Sequence, residues 1–146
     1  YFFFFYDTKE KKVMKQFKIL AESVSKEEKE GNIAMACKMQ QLASLFTNPC
    51  GLDIPGSSFS GEYSPDEIQS HAARSRATFK SLKLEFYDIN LNFPSENKAE
   101  ALLTARLTGI VSDGKTIEEA KEIETILNYV EDKWLFSNFK VIKVLE

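Results

Sequence analysis

The chain of 146 residues holds one histidine, two cysteines and one tryptophan, and this scarcity excludes whole classes of chemistry. Structural zinc takes four Cys or His ligands. Cys37, Cys50 and His71 fall short of that number, and the cysteines lack CxxC spacing, so neither a metal nor another cofactor is expected. The two cysteines read as free buried thiols that an oxidising compartment would allow to pair. There is no phosphate-binding glycine loop and no nucleophile elbow around a serine. Net charge is −3 and the basic residues are spread along the chain, so the footprint of a nucleic-acid binder is missing, as is a basic and aromatic stripe for RNA. The one lysine cluster, Lys9, Lys11, Lys12, Lys15 and Lys18, is interleaved with Glu10 and reads as a solvated helix face. No apolar run approaches the ~20 residues that cross a bilayer. Internal repeats and low-complexity linkers are absent.

What is present suits one domain. A chain this long buries roughly 68–70% of its unfolded surface and needs no staple. Residues 1–7 stand apart from the domain at 8–146. Tyr1, Phe2, Phe3, Phe4, Phe5 and Tyr6 form an unbroken aromatic run, and a first residue other than Met is what a processed or trimmed product presents. Two readings stand: the remnant of a signal or membrane-anchor segment with aromatics at the interface, or a first strand or arm packed on the domain. The expected location is accordingly either extracytoplasmic and membrane-anchored, with attachment upstream of Tyr1, or cytoplasmic.

Residues 8–30 read as an amphipathic helix, with Val13, Phe17, Leu20 and Val24 at spacings of three and four and Gly31 at its end. Asn32 is read as the cap of a second helix to about Phe46, with Met35, Met39, Leu42 and Phe46 as its stripe and Ile33 and Cys37 covered on the other side. Thr47-Asn48-Pro49 stops it, and a short extended piece runs from Cys50 to Ile54. A polar loop through Ser57, Ser58 and Phe59 to Tyr63 follows, the kind of irregular segment that carries sites. Ser64-Pro65-Asp66-Glu67 is a capping box with proline at the first helical position. Its helix is read to Phe79 with Ile68, Ala72, Ser75 and Phe79 inward and His71 and Arg76 on the shoulders.

Strands make up the rest. Leu82, Leu84 and Phe86 alternate with polar residues, the phase slips, and Ile89, Leu91 and Phe93 continue, which predicts a bulge at Tyr87-Asp88. A strand through Ala99, Ala101, Leu103, Ala105 and Leu107 leads to an Asp113-Gly114 hairpin. The next strand has Ile123, Thr125, Leu127 and Tyr129 on one face and Glu118, Glu122 and Glu124 on the other. Trp134 to Leu145 alternates as apolar on both faces: Trp134, Phe136, Ile142 and Val144 against Leu135, Phe139, Val141 and Leu145. A second apolar face needs a cover, so a homodimer through the sheet is expected.

This order, long helix, short helix, short strand, loop, capped helix and antiparallel meander, resembles the nuclear transport factor 2-like (cystatin-like) superfamily. Residues 42–56, the approach to the third helix at 61–68, and Glu131-Asp132-Lys133-Trp134 are similar to its corresponding pieces. The resemblance implies an α+β fold: three N-terminal helices on a curved, mostly antiparallel sheet, forming a cone with a pocket. The inward strand faces, Phe86, Ile89, Leu103, Leu107, Ile123, Leu127 and Tyr129, would line it, with His71 and Arg76 near the rim.

The superfamily includes enzymes and binding modules, so the fold does not choose. In a ketosteroid isomerase-like site a desolvated carboxylate base faces a buried hydrogen-bond donor. Asp53 lies close to the base position, but Phe17 and Leu127 stand where donors are wanted. The expectation is therefore a non-catalytic domain that binds a small apolar ligand or a protein. Its candidate residues are Asp53, Tyr63, His71, Arg76, Phe86, Leu103, Leu127 and Tyr129. The alternative is an isomerase- or dehydratase-like enzyme in which His71 and an aspartate form an acid–base pair.

Overall fold

The computed structural model describes the backbone of residues 2–55 and 60–145 and the side chains of residues 8–55 and 60–143. Ser57, Ser58 and Phe59 of the polar loop lie outside the described residues, as do the side chains of the aromatic run. No glycine or proline interrupts the chain before Gly31, and helix α1 accordingly runs Phe2–Val24. The backbone of Phe2 to Tyr6 is therefore part of the helix, not a first strand. Val13, Phe17 and Leu20 are buried beneath it. The helix stops short of the expected residue 30 because a distant strand captures the chain. Lys26 N donates to Leu82 O at 2.7 Å and Leu82 N to Lys26 O at 2.9 Å.

Helix α2 spans Asn32–Ala43 with Gly31, not Asn32, at its N-cap and no side-chain cap. Only one face is covered: Met39 and Leu42 are buried, while Ile33 is 83% exposed and Cys37 lies open. Phe46 leaves the helix to open strand β1, Phe46–Asp53, and β2, Gly61–Tyr63, pairs with it antiparallel. The capping box forms as expected: Glu67 N donates to Ser64 Oγ at 3.2 Å and Ser64 N to Glu67 Oε1 at 3.1 Å. It starts α3, Pro65–Ala77, two residues shorter than expected because Phe79 opens β3. Ser75 faces solvent and Arg76 is buried, the reverse of their expected places.

Strands β3 (Phe79–Ser95), β4 (Lys98–Val111), β5 (Thr116–Val130) and β6 (Lys133–Leu145) form an antiparallel meander. The sheet order is β2-β1-β6-β5-β4-β3, with β1 parallel to β6. The expected bulge is present: the β3–β4 register shifts between Tyr87 and Asn90, and Asp88 takes φ 54°. Gly114, at φ 95°, closes the β4–β5 turn. The alternation of β4 and β5 also holds, with Ala99, Ala101, Leu103 and Leu127 buried and Glu118 and Glu124 exposed.

Strand β6 departs from simple alternation. Its register against β5 shifts between Ile126 and Leu127 and again between Glu122 and Ile123. Two extra residues, Ser137 and Ile142, reset the phase. Trp134, Phe136, Phe139 and Val141 then all lie opposite inward residues of β5: Tyr129, Leu127, Thr125 and Ile123. The outer side is left with Leu135, Asn138, Lys140 and Lys143, the lysines paired in register with Glu124 and Glu122. The doubly apolar strand expected from alternation is thus a singly apolar one, and the outer face is mixed.

Candidate functional site

The helices pack on the sheet, and aromatic rings meet between the two layers. Phe136 lies at the centre, its ring 5.1 Å from Phe17 and 5.3 Å from Phe139. Phe46 meets both Phe136 and Phe139 at 6.0 Å, and Phe86 meets Phe17 at 5.5 Å. Trp134, between Phe93 and Tyr129, extends the stack at one end. Edge-to-face and offset contacts at these distances are favourable beyond the area they bury.

This packing decides the place of the expected pocket residues. Leu103 and Leu127 are buried members of the core, and Phe86 and Tyr129 pack against it. Tyr129 also reaches Asp132 through its hydroxyl at 3.4 Å. Tyr63 and His71 come together, ring to ring at 5.5 Å and nearly perpendicular, with His71 exposed. Asp53 ends β1 exposed, in register with Lys140, and no hydrogen bond or ion pair joins it to His71. The eight residues are therefore not one constellation.

Arg76 belongs elsewhere altogether. At 1% exposure it is not a rim residue. Its Nη2 donates to both oxygens of Glu30 at 2.7 and 2.8 Å and to Ser25 O at 3.0 Å, and its Nε donates to Val24 O at 3.1 Å. Lys38 Nζ adds a third contact to Glu30 at 2.8 Å. Lys26 Nζ donates to the carbonyls of Arg76 and Phe79 at 3.0 and 2.9 Å. The cluster ties the α1–α2 linker and α2 to the end of α3. Sequence reading missed Glu30 and Lys26 because a charged run beside a glycine has the composition of a solvated helix end, and Lys38 because a single lysine within α2 carries no signal of its own.

Among the described residues the other buried polar side chains are Ser23 and Thr125. Ser23 Oγ donates to Gln41 Oε1 at 3.3 Å, and Thr125 Oγ1 to Asn138 O at 2.6 Å. Both hydroxyls are held in structural bonds. A groove of about 930 Å³ lies at the β3 edge of the sheet, between the α1–α2 linker and the β3–β4 end. Leu82, Leu84 and Ile110 form its apolar part, and Glu22, Lys26 and Lys83 its charged rim.

The fold is found among solved structures. Neither a protein-family model nor a curated protein matches the chain. A protein from Novosphingobium aromaticivorans named for scytalone dehydratase superposes with TM-score 0.76 at 11% identity, covering 97% of this chain and 87% of the other. The hexachlorocyclohexane dehydrochlorinase LinA-type3 from Novosphingobium barchaimii gives TM-score 0.75 at 13% identity over 97% and 93%. A protein of the NTF2-like family from Streptomyces avermitilis gives 0.71 at 14% over 96% and 99%. The chain has the NTF2-like, or cystatin-like, fold. The expected α+β architecture, three helices on a curved and mostly antiparallel sheet, stands with it.

The cysteines behave differently from one another in this fold. Both are free, but Cys37 is exposed on α2, a correction to its expected burial, while Cys50 is buried on β1. Burial pushes the Cys50 thiol up to about 12. Only the thiolate attacks a disulfide reagent. In native protein at pH 8, Ellman's reagent should therefore titrate one thiol quickly, and the second only after denaturation. Rapid release of two equivalents from native protein would show that the β1 side of the core opens freely.

Proposed function

We propose that this chain is a non-catalytic binding domain, engaging its partner on the outside of the cone instead of within it. One observation carries the reading: aromatic rings meet in the core beneath the helices, and the buried polar side chains among the described residues, Ser23, Arg76 and Thr125, each make structural bonds, with Arg76 Nη1 alone left unpaired. General acid–base chemistry needs a titratable group within hydrogen-bond reach of a substrate in a space that admits one. The groove beside Leu82, Leu84 and Ile110 offers instead an apolar floor with charges of both signs at its rim, which suits a small amphipathic ligand or a peptide side chain. Two copies pairing sheet to sheet belong to the same proposal, with Leu102, Ile126 and Leu135 as the apolar part of a mixed face.

A second reading, an elimination enzyme, is favoured by the dehydrochlorinase and the dehydratase-named protein among the similar folds. Its base would be His71, the one imidazole of the chain, set against Tyr63. Two measurements separate the readings. In nuclear magnetic resonance titration with 1-anilinonaphthalene-8-sulfonate as an amphipathic probe, binding outside the cone shifts the amides of Leu82, Leu84 and Ile110. Chloride release from a hexachlorocyclohexane should stay at the uncatalysed rate. Release above that rate and abolished in His71→Ala would overturn the non-catalytic reading.

A further inference from the structure

The middle of α1 is the most basic stretch of an otherwise acidic chain. Residues 8–18 carry five lysines and one glutamate, a net +4 within a total of −3, so the remainder carries −7. The helix converts this asymmetry into a surface. Lys11, Lys15 and Lys18 recur at spacings of four and three and share one stripe, with Lys12 at its flank; all four are exposed. Met14, 39% exposed, lies beside them. Val13, Phe17 and Leu20 occupy the opposite side and are buried, so the lysine stripe lies on the solvent side of the helix, with Lys12 and Lys15 beside a shallow groove against α2 and the β5–β6 turn. The same helix continues back to Phe2, which puts Phe2 to Tyr6 and the lysines on one helix, the aromatic residues at its end.

We infer that residues 2–18 of α1 are a docking surface for an anionic lipid bilayer. Charge complementarity selects the partner: each lysine near an anionic membrane surface strengthens attachment about fivefold, an attraction that ordinary salt screens. The aromatic end supplies the other half of the recognition. Aromatic side chains favour the headgroup level of a bilayer, and a basic stripe with neighbouring apolar residues is the composition of interfacial helices. A nucleic acid would share the attraction to lysine, but an unbroken run of six aromatics without interspersed basic residues matches an interface better than a base-stacking groove.

The test is co-sedimentation of the full chain with vesicles of phosphatidylglycerol in phosphatidylcholine and with vesicles of phosphatidylcholine alone. The protein is expected to pellet with the anionic vesicles and to be released by high salt. Combined charge reversal at four exposed positions, Lys11→Glu, Lys12→Glu, Lys15→Glu and Lys18→Glu, should weaken partition roughly a hundredfold or more while circular dichroism stays that of the parent. A second variant, Phe2→Ser, Phe3→Ser, Phe4→Ser and Phe5→Ser, should weaken partition at every salt concentration and keep its salt dependence. Equal binding to neutral and anionic vesicles, unchanged binding in either variant, or binding to duplex DNA with none to vesicles would each overturn the inference.

Discussion

Arg76→Met should destabilise the protein by about 3–5 kcal/mol, the usual cost of removing one partner from a buried ion pair. The side chain of Glu30 is 4% exposed and meets Arg76 at 2.7 Å, so the variant strands a carboxylate away from water with only Lys38 left beside it. The carbonyl oxygens of Val24 and Ser25 lose donors at the same time. Urea denaturation would read the loss as a lower midpoint at unchanged slope. The double variant Glu30→Leu/Arg76→Met should recover most of it, because a buried pair exchanged for apolar groups is often neutral or better. Recovery is further favoured by Arg76 Nη1, which is buried without a partner among the described residues. A single variant within 1 kcal/mol of the parent would mean that the cluster is solvated in solution.

The same cluster makes a pH prediction. Burial on its own would raise the Glu30 carboxyl, but hydrogen bonds from Lys38 and Arg76 outweigh it, and the net position is below the ordinary 4.5. A group whose folded value is depressed adds stability that is complete above its unfolded value and drains away as pH falls through the folded one. The gap between parent and Arg76→Met should therefore be widest above pH 4.5 and narrow in more acid solution, where Glu30 becomes neutral in both proteins. A gap independent of pH would assign the effect of Arg76 to packing alone.

How much of this was legible in the sequence depends on how local each cause is. The α3 capping box and the Asp113-Gly114 turn are decided within four residues, and both stand as read. The bulge at Asp88 was legible because the apolar phase slips visibly there. In β6 a slip leaves no trace: Leu135, Phe136, Phe139, Val141 and Ile142 are apolar in either phase, so only pairing with β5 reveals Ser137 and Ile142 as the extra residues. The end of α1 was illegible for a related reason, since Lys26 leaves the helix to pair with Leu82, a partner far along the chain. The candidate site suffered most. Alternation correctly named inward residues such as Leu103 and Leu127, but facing inward does not distinguish lining a cavity from filling one. That difference rests on Phe17, Phe46, Phe136 and Phe139 meeting from three separate elements, α1, β1 and β6.

Phe136→Ala tests that packing and should cost about 3–5 kcal/mol, the range for removing a buried aromatic ring. Phe136 is 0% exposed and touches the rings of Phe17, Phe46 and Phe139, while its backbone pairs with Leu127 of β5. Truncation removes the ring that these neighbours share, and strands held by register on both sides restrict collapse into the space. Phe136→Leu keeps most of the volume and should lose much less, about 1.5 kcal/mol or below. The comparison bears on function as well as stability. A ring projecting into a water-filled ligand cavity leaves little new void when it is cut back, so its loss would cost about 1 kcal/mol or less. A ring locked among others leaves a dry apolar hole, and holes of that kind take up benzene. Thermal melts of Phe136→Ala with and without benzene should show a large initial loss and a partial rescue by the ligand, with no effect of benzene on the parent. Rescue of the parent itself would mean that the interior already holds a cavity, and the binding site would move back inside the cone.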